Sequence, residues 1–318
     1  MGTLNPEDWS QYWEGSTITT FQGLFENNYS NEIYNFWKNQ ITKDCSKILD
    51  IACGNGALSW LANDILKSLG VQAKITGIDF ADIDPFKRLG RKKSNYPNIS
   101  FIANTPIENI PIEDSSIDLI ISQYGIEYSD LNRTIPEVAR ILMSKGKLCL
   151  VMHIEDSALV KTETRMMQVC RSVLDEDRLH DKYLELDQLY RSTPDNTHPE
   201  IQRLKIEIHH LTYQVRRKIG IFRDKADLDN YLYRMEKVFS ENTPRRSNKR
   251  EKAILLAVNE LRAYTNRLED LAAAARSPSD IDDLIKLLAQ NNLMVTEKTP
   301  IYLNGNELCG LSLVAIKY

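Results

Sequence analysis

The sequence predicts an α/β fold, a doubly wound and mostly parallel sheet interrupted after its fifth strand by a large all-α insertion. Three observations predict it. The stretch Ile48-Leu49-Asp50-Ile51-Ala52-Cys53-Gly54-Asn55-Gly56 is an apolar strand ending in an acid, then a tight small-residue turn, then the helical run 57–69. Such a turn opens backbone N–H groups at a helix N-terminus to a ligand that side chains would otherwise block. A second apolar strand ending in an acid, Ile75-Thr76-Gly77-Ile78-Asp79, arrives about where a βαβ unit places the residue that grips ribose hydroxyls. From 44 to 153 short apolar strands alternate with helical stretches, the signature of a parallel sheet covered on both faces, whereas from 155 to 277 glycine nearly vanishes and helical periodicity takes over.

In chain order, residues 1–43 carry Trp9, Tyr12, Trp13, Phe21, Phe25, Tyr29, Tyr34, Phe36 and Trp37 and read as a helical cap segment whose amphipathic helices pack on the sheet. Residues 44–154 and 278–318 form the ligand-binding core. Ligands of such sheets sit at the carboxyl ends of the strands, which puts 50–56, 79–81, 104–107, 123–128 and 153–156 on one rim. Residues 155–277 are the inserted helical subdomain. Ile201, Leu204, Ile208, Leu211, Val215, Ile219 and Phe222 recur at steps of three and four, and Ile254, Val258, Leu261, Leu268 and Ala275 trace a second seam. Breaks at 192–199 and 240–248 divide the insert into three or four antiparallel helices. Pro278 closes it, and the core resumes with a helix over 280–291 and strands over 294–303 and 308–317.

Composition narrows the function. At 318 residues the chain exceeds the usual single-domain size, and a net charge of -4 argues against wholesale nucleic-acid binding. No run has the length of a membrane span, and the polar opening 1–10 is no signal peptide. Pro6 stands where a myristoylation signal wants Ser or Thr. Cys45, Cys53, Cys149, Cys170 and Cys309 show no paired spacing of the zinc or redox kind, so a reduced cytoplasm is expected and no metal. A dinucleotide-binding dehydrogenase would need a third glycine where Ser59 stands.

With Asp50, Ala52, Gly54, Gly56 and Asp79, the segment 107–112, and the strands 117–123 and 147–153, the chain resembles the class I S-adenosylmethionine-dependent methyltransferases, in particular the small-molecule branch of ubiquinone/menaquinone methylases. The resemblance implies a seven-stranded sheet ending in an antiparallel hairpin, S-adenosylmethionine as cofactor and S-adenosylhomocysteine as product. It implies cofactor contacts at Asp50, Ala52, Cys53, Gly54, Asn55, Gly56, Asp79, Phe80, Asn104, Thr105, Pro106, Gln123 and Tyr128. Ala52 replaces the usual glycine, a change the turn absorbs if φ stays negative there. Pro106 replaces an acid that meets the adenine amino group in many members, which leaves adenine recognition to Asn104, Thr105 or backbone groups of that loop. In related enzymes the N-terminal segment folds over the cofactor and one wall of the substrate pocket, which makes Tyr12, Phe21 and Gln22 the expected acceptor contacts.

Methyl transfer from a sulfonium is an in-line substitution in which the protein aligns the nucleophile and excludes water. For a hydroxyl acceptor a general base helps. His153, ending a core strand on the rim, is the first candidate; a histidine bonded to backbone at a strand end is the plainer account. Glu127 is the second candidate, and Tyr124 and Tyr128 are placed to hold the acceptor or face the sulfonium. The expected partner is a small-molecule acceptor, methylated at O, N or C. The alternative is an interaction module whose insert binds a protein or RNA. A seam that a few helices cannot cover would seek a second copy, giving a homodimer through the insert. Arg216, Arg217, Lys218, Arg245, Arg246, Lys249 and Arg250 read as solvated helix ends or as a surface for an anionic substrate.

Overall fold

Strands β1 (Lys47–Ile51), β2 (Lys74–Ile78), β3 (Ile99–Ile102), β4 (Ile117–Gln123), β5 (Leu142–Met152), β6 (Leu293–Leu303) and β7 (Glu307–Lys317) form one sheet in the order β3-β2-β1-β4-β5-β7-β6. The computed structural model describes residues 5–20, 28–195, 197–220, 222, 225–239 and 247–318. β1 to β5 pair in parallel, and β7 runs antiparallel between β5 and β6. The first five strands therefore present their carboxyl ends along one edge, the rim expected from the sequence.

Both faces of the sheet are covered, which is why its central strands are apolar without alternation. Leu119 and Ile121 of β4 face a cluster with Ile33 and Trp37 of helix α2 (Asn31–Gln40) and with Trp60 and Ile65 of helix α3 (Ala57–Ser68). Ile120, one residue out of phase, joins Ile135 and Val138 of an α-helix over Leu131–Ile141 and Ile281, Leu284 and Leu288 of another over Pro278–Gln290. The Pro278–Gln290 helix starts at a capping box, in which Ser277 and Asp280 each accept the other's backbone N–H. Helix α1 (Pro6–Trp13) precedes these elements and starts from an Asn5 cap.

The chain divides into two units, 1–161 with 270–318, and 162–269. The second is narrower than the 155–277 the sequence suggests. Its flanks belong to the first unit because Val160, Leu271 and Ala275 pack together there, and because Ile154 pairs with Arg276 in a parallel bridge. Ala275 thus leaves the seam assigned to it.

In the second unit, helices over Leu179–Ser192, Pro199–Ile219 and Ala226–Val238, with parts of those over Ala158–Arg171 and Lys249–Ala274, enclose their own apolar cluster. A break after Ile219, at Gly220, falls where the first seam predicts continuity. Ile201, Leu204, Ile208, Val215 and Ile219 are buried in that cluster with Ile254, Val258, Leu261 and Leu268. These seam residues are therefore covered within the unit.

Three of the basic residues pair within the unit. Arg216 Nη2 reaches both Glu236 oxygens at 2.9 and 3.1 Å, Lys218 Nζ meets Asp177 at 2.5 Å, and Arg250 is buried against Asp187 at 2.5 Å. Arg245 and Arg246 lie outside the described residues.

Candidate active site

β1 ends at Ile51 and the chain turns on three residues in the left-handed region. Ala52 has φ +54°, against the negative value expected from its side chain; Gly54 and Gly56 have +52° and +79°. Space for the Ala52 methyl comes from Gly125, where an added Cβ would lie 2.6 Å from the Ala52 Cβ. Gly56 must be bare for a second reason, since its Cβ would lie 2.6 Å from the Phe101 ring.

The two strand-end acids organise this turn. Asp79 accepts the Gly54 N–H at 2.7 Å on one carboxylate oxygen and the Ala81 N–H at 2.9 Å on the other. Asp50 accepts the Ser59 hydroxyl at 2.7 Å, so the residue that breaks the dinucleotide fingerprint is the donor that holds the first acid. Burial pushes Asp50 up to about 7, against the Ser59 bonds and with help from the Asp79 charge. Burial also raises Asp79, against its two backbone donors. Neither acid forms an ion pair among the described residues.

Helix α1 lies over the turn. The Trp13 indole packs with Cys53, Ala81 and Ile83, and a Cβ on Gly54 would fall 2.3 Å from its ring. Asn55 Nδ2 donates to the carbonyls of Trp13, Gly15 and Thr17 at 3.2, 3.2 and 2.9 Å, while the Ser10 hydroxyl accepts the Asp82 N–H at 2.9 Å. Trp9 donates to Asp270 at 3.0 Å and stands edge-on to Tyr128 at 5.4 Å. Tyr12 lies between Trp9 and Trp13 and donates to the Thr19 carbonyl at 3.3 Å. Among the described residues, Asn55 Oδ1, Thr17 Oγ1 and Thr19 Oγ1 are buried with no hydrogen-bond partner. Phe21 and Gln22 lie outside the described residues.

On the β2–β3 side, the Thr105 N–H donates to the Asp79 carbonyl at 2.8 Å, which ties the loop after β3 to the residue that ends β2. Thr105 Oγ1 bonds its neighbour's Ala103 carbonyl at 3.0 Å, and the exposed Asn104 reaches Asp82 at 3.3 Å. Pro106 is exposed beside them and Phe80 half-buried. The side-chain donors of Asn104 and Thr105 are thus engaged, one with the segment after β2 and one within the loop.

Beyond β4 and β5 the second half of the site assembles. Gln123 Oε1 accepts from the Trp37 indole, and its Nε2 is buried without a partner. The His153 ring stacks on Tyr124 at 4.3 Å with 13° between planes, and Tyr128 meets it edge-on at 6.1 Å. Glu127 Oε1 accepts the His153 N–H at 2.7 Å, and its Oε2 is buried with no hydrogen-bond partner among the described residues. Burial pushes Glu127 up to about 7, opposed by backbone donors and by the Arg276 charge, while burial drives His153 down to about 3. His153 is therefore neutral across physiological pH and a poor proton acceptor.

Sequence reasoning missed four residues. Ser59 was read only as an absent glycine, and Trp13 only as an aromatic of the cap. Tyr29 brings its phenol to Asp50, Tyr12 and Glu127, whose charges add to burial in raising it. Arg276 joins Glu127 across 149 positions of chain, beyond any local pattern.

A family model described as a methyltransferase domain matches residues 42–203, half of the chain. The chain belongs to that family, the class I S-adenosylmethionine-dependent methyltransferases. This methyltransferase is 30% identical over 107 residues to a ubiquinone/menaquinone biosynthesis C-methyltransferase of Campylobacter jejuni, covering 33% of the chain and 43% of that protein. It is 29% identical over 114 residues to an uncharacterised methyltransferase of Mycobacterium bovis, covering 36% and 42%. The chain thus spans less than half the length of these curated relatives. A solved S-adenosylmethionine-dependent methyltransferase of Aquifex aeolicus overlays 99% of the chain and 100% of its own at 10% identity, with a TM-score of 0.45.

Proposed function

We propose that the protein transfers a methyl group from S-adenosylmethionine to O, N or C of a small-molecule acceptor, with Glu127 taking the acceptor's proton. One observation carries this reading: Asp50 and Asp79 are buried at adjacent strand ends on a single rim, and neither forms an ion pair among the described residues. Buried carboxylates without a cation are costly, and a ligand bearing a sulfonium and an ammonium removes that cost. The bound cofactor supplies an electrophilic methyl group and leaves as a thioether.

The chain's residues divide the remaining work. Asp79 keeps lone pairs beyond its two backbone donors for ribose hydroxyls. Asp50 and the unpartnered Asn55 Oδ1 suit the ammonium, and the Thr17 and Thr19 hydroxyls suit the carboxylate. Trp13 and Tyr12 close the site from above and exclude water. The unpartnered Oε2 of Glu127, on a carboxyl that titrates near neutrality, accepts a proton from an O–H or N–H nucleophile and returns it to solvent. His153, the first candidate from the sequence, serves instead as a neutral aromatic wall beside Tyr124 and Tyr128, which spares the sulfonium an adjacent imidazolium. The small-molecule class of acceptor follows the quinone-pathway name of the Campylobacter relative.

Isothermal titration with S-adenosylmethionine tests the assignment. One site per chain is expected, with Asp79→Asn weakening binding by about 1.5–3 kcal/mol through loss of charge-assisted bonds. Glu127→Gln should bind the cofactor as wild type does and lose roughly a hundredfold in turnover on a panel of phenol and amine acceptors. Equal cofactor affinity in wild type and a folded Asp79→Asn variant overturns the reading.

A further inference from the structure

Where the chain re-enters the first unit, Arg276 closes a ring of hydrogen bonds with two residues of the site. Its backbone N–H donates to the His153 carbonyl at 3.0 Å, its Nη2 donates to the Glu127 carbonyl, and the His153 N–H donates to Glu127 Oε1 at 2.7 Å. The Glu155 N–H continues the pairing onto the Arg276 carbonyl at 3.1 Å. Three segments distant in sequence, the turn after β4, the end of β5 and the residue before the Pro278–Gln290 helix, meet in this ring.

Closing the chain would need only the backbone bonds. The guanidinium goes further. It is half-buried, its Nε is buried with no hydrogen-bond partner, and it forms no ion pair among the described residues. Desolvating a charge without compensation costs several kcal/mol, and an ionised Glu127 is the compensation at hand. We propose that Arg276 is a positioning residue that fixes the Glu127 carboxylate for proton transfer, so that the chain's return from the helical insert is part of the active site.

This inference rests on the methyltransferase reading for its purpose but not for its test. The groups acting on Glu127 are Arg276, which favours its charge, the His153 and Gly125 backbone donors, and the phenols of Tyr29 and Tyr124, on which its own charge acts in turn. Asp280 of the Pro278–Gln290 helix also feels the Arg276 charge. Removing the guanidinium should therefore make Glu127 harder to ionise.

The ionisation of Glu127 can be followed by infrared spectroscopy of the cofactor-free chain, with its band assigned from Glu127→Gln. Arg276→Met should raise the midpoint by about one pH unit or more, as expected for loss of an adjacent opposite charge. Arg276→Lys should restore most of the shift. Arg276→Gln, which keeps a donor for the Glu127 carbonyl without the charge, should stay high, and it carries the test if Arg276→Met fails to fold. In turnover the acid limb of the pH profile should move with the midpoint while cofactor affinity holds. An unmoved midpoint in Arg276→Met or Arg276→Gln overturns the inference. Absence of cofactor binding by the wild type overturns the methyltransferase reading alone, since the titration needs no cofactor.

Discussion

Ala52 and Gly125 share the room of one methyl group. Ala52 sits at φ +54°, where a Cβ costs roughly 1–2 kcal/mol, and glycine there would lose part of the gain to unfolded-state entropy. Ala52→Gly should therefore stabilise the fold by about 0.5–1 kcal/mol in urea denaturation. Gly125→Ala should cost about 1–3 kcal/mol by overpacking, although Gly125 at φ -139° has no conformational need for glycine. The double variant should recover much of that loss, because the 2.6 Å approach involves only these two Cβ positions; a purely additive double variant would contradict the shared-space account. Glu127 gives a second test at this scale. Its carboxyl titrates near 7 when folded and near 4.5 when unfolded, so the native state holds the extra proton between those values and stability falls as pH rises through that window. Glu127→Gln lacks this slope. Its melting temperature should gain on wild type from pH 4.5 to 7, by an equivalent on the order of 2–3 kcal/mol, and the gap should be flat above. His153 contributes the opposite slope below pH 6.5 in both proteins and cancels in the comparison.

At the scale of elements, the second unit is pinned by a buried ion pair. Asp187 accepts from Arg250 and from Arg191, both at 2.5 Å, with Arg250 side-chain exposure of 6% and Asp187 of 2%. Asp187→Ala removes the carboxylate that the buried Arg250 guanidinium shares with Arg191 and should cost about 3–5 kcal/mol. Hydrogen exchange should show the loss in the helices of 162–269, with protection of β1, β4 and β5 little changed. The strands, the glycine turn and the terminal hairpin were legible in the sequence because each is written in consecutive residues: apolar runs, small residues at the turn, an acid at the strand end. The rim followed from the rule that parallel strands share a carboxyl edge. The sign of φ at Ala52 was not legible, because its methyl is accommodated by Gly125 from the distant turn after β4. The sequence puts His153 ahead of Glu127 as the base, because spacing does not show the burial that drives one to about 3 and the other to about 7. Seam residues such as Ile208 and Val258 were recognised as apolar, but whether they face each other or a partner is a question of packing that spacing leaves open.

For the whole molecule, the entry and exit of the insert lie side by side. Ile154 and Arg276 form a parallel bridge, with the Glu155 N–H on the Arg276 carbonyl. Replacing 157–275 by a Gly/Ser linker of roughly four to six residues should therefore close without strain. The shortened chain should keep its far-ultraviolet β signature and bind S-adenosylmethionine, while 162–269 expressed alone should melt as a cooperative helical unit around its own apolar cluster. Failure of the shortened chain to fold would show that Val160, Leu271 and Ala275 are indispensable to the core. The paired ends also bear on ancestry. A gene for an uninterrupted seven-stranded enzyme could have received this helical segment in a single event between Glu155 and Arg276, since a bridge one ladder rung wide admits an excursion of any length without rethreading the sheet. Because the bridge is parallel, the two ends need a returning connection and not a tight turn, and a helical module of another enzyme offers one at the same two positions.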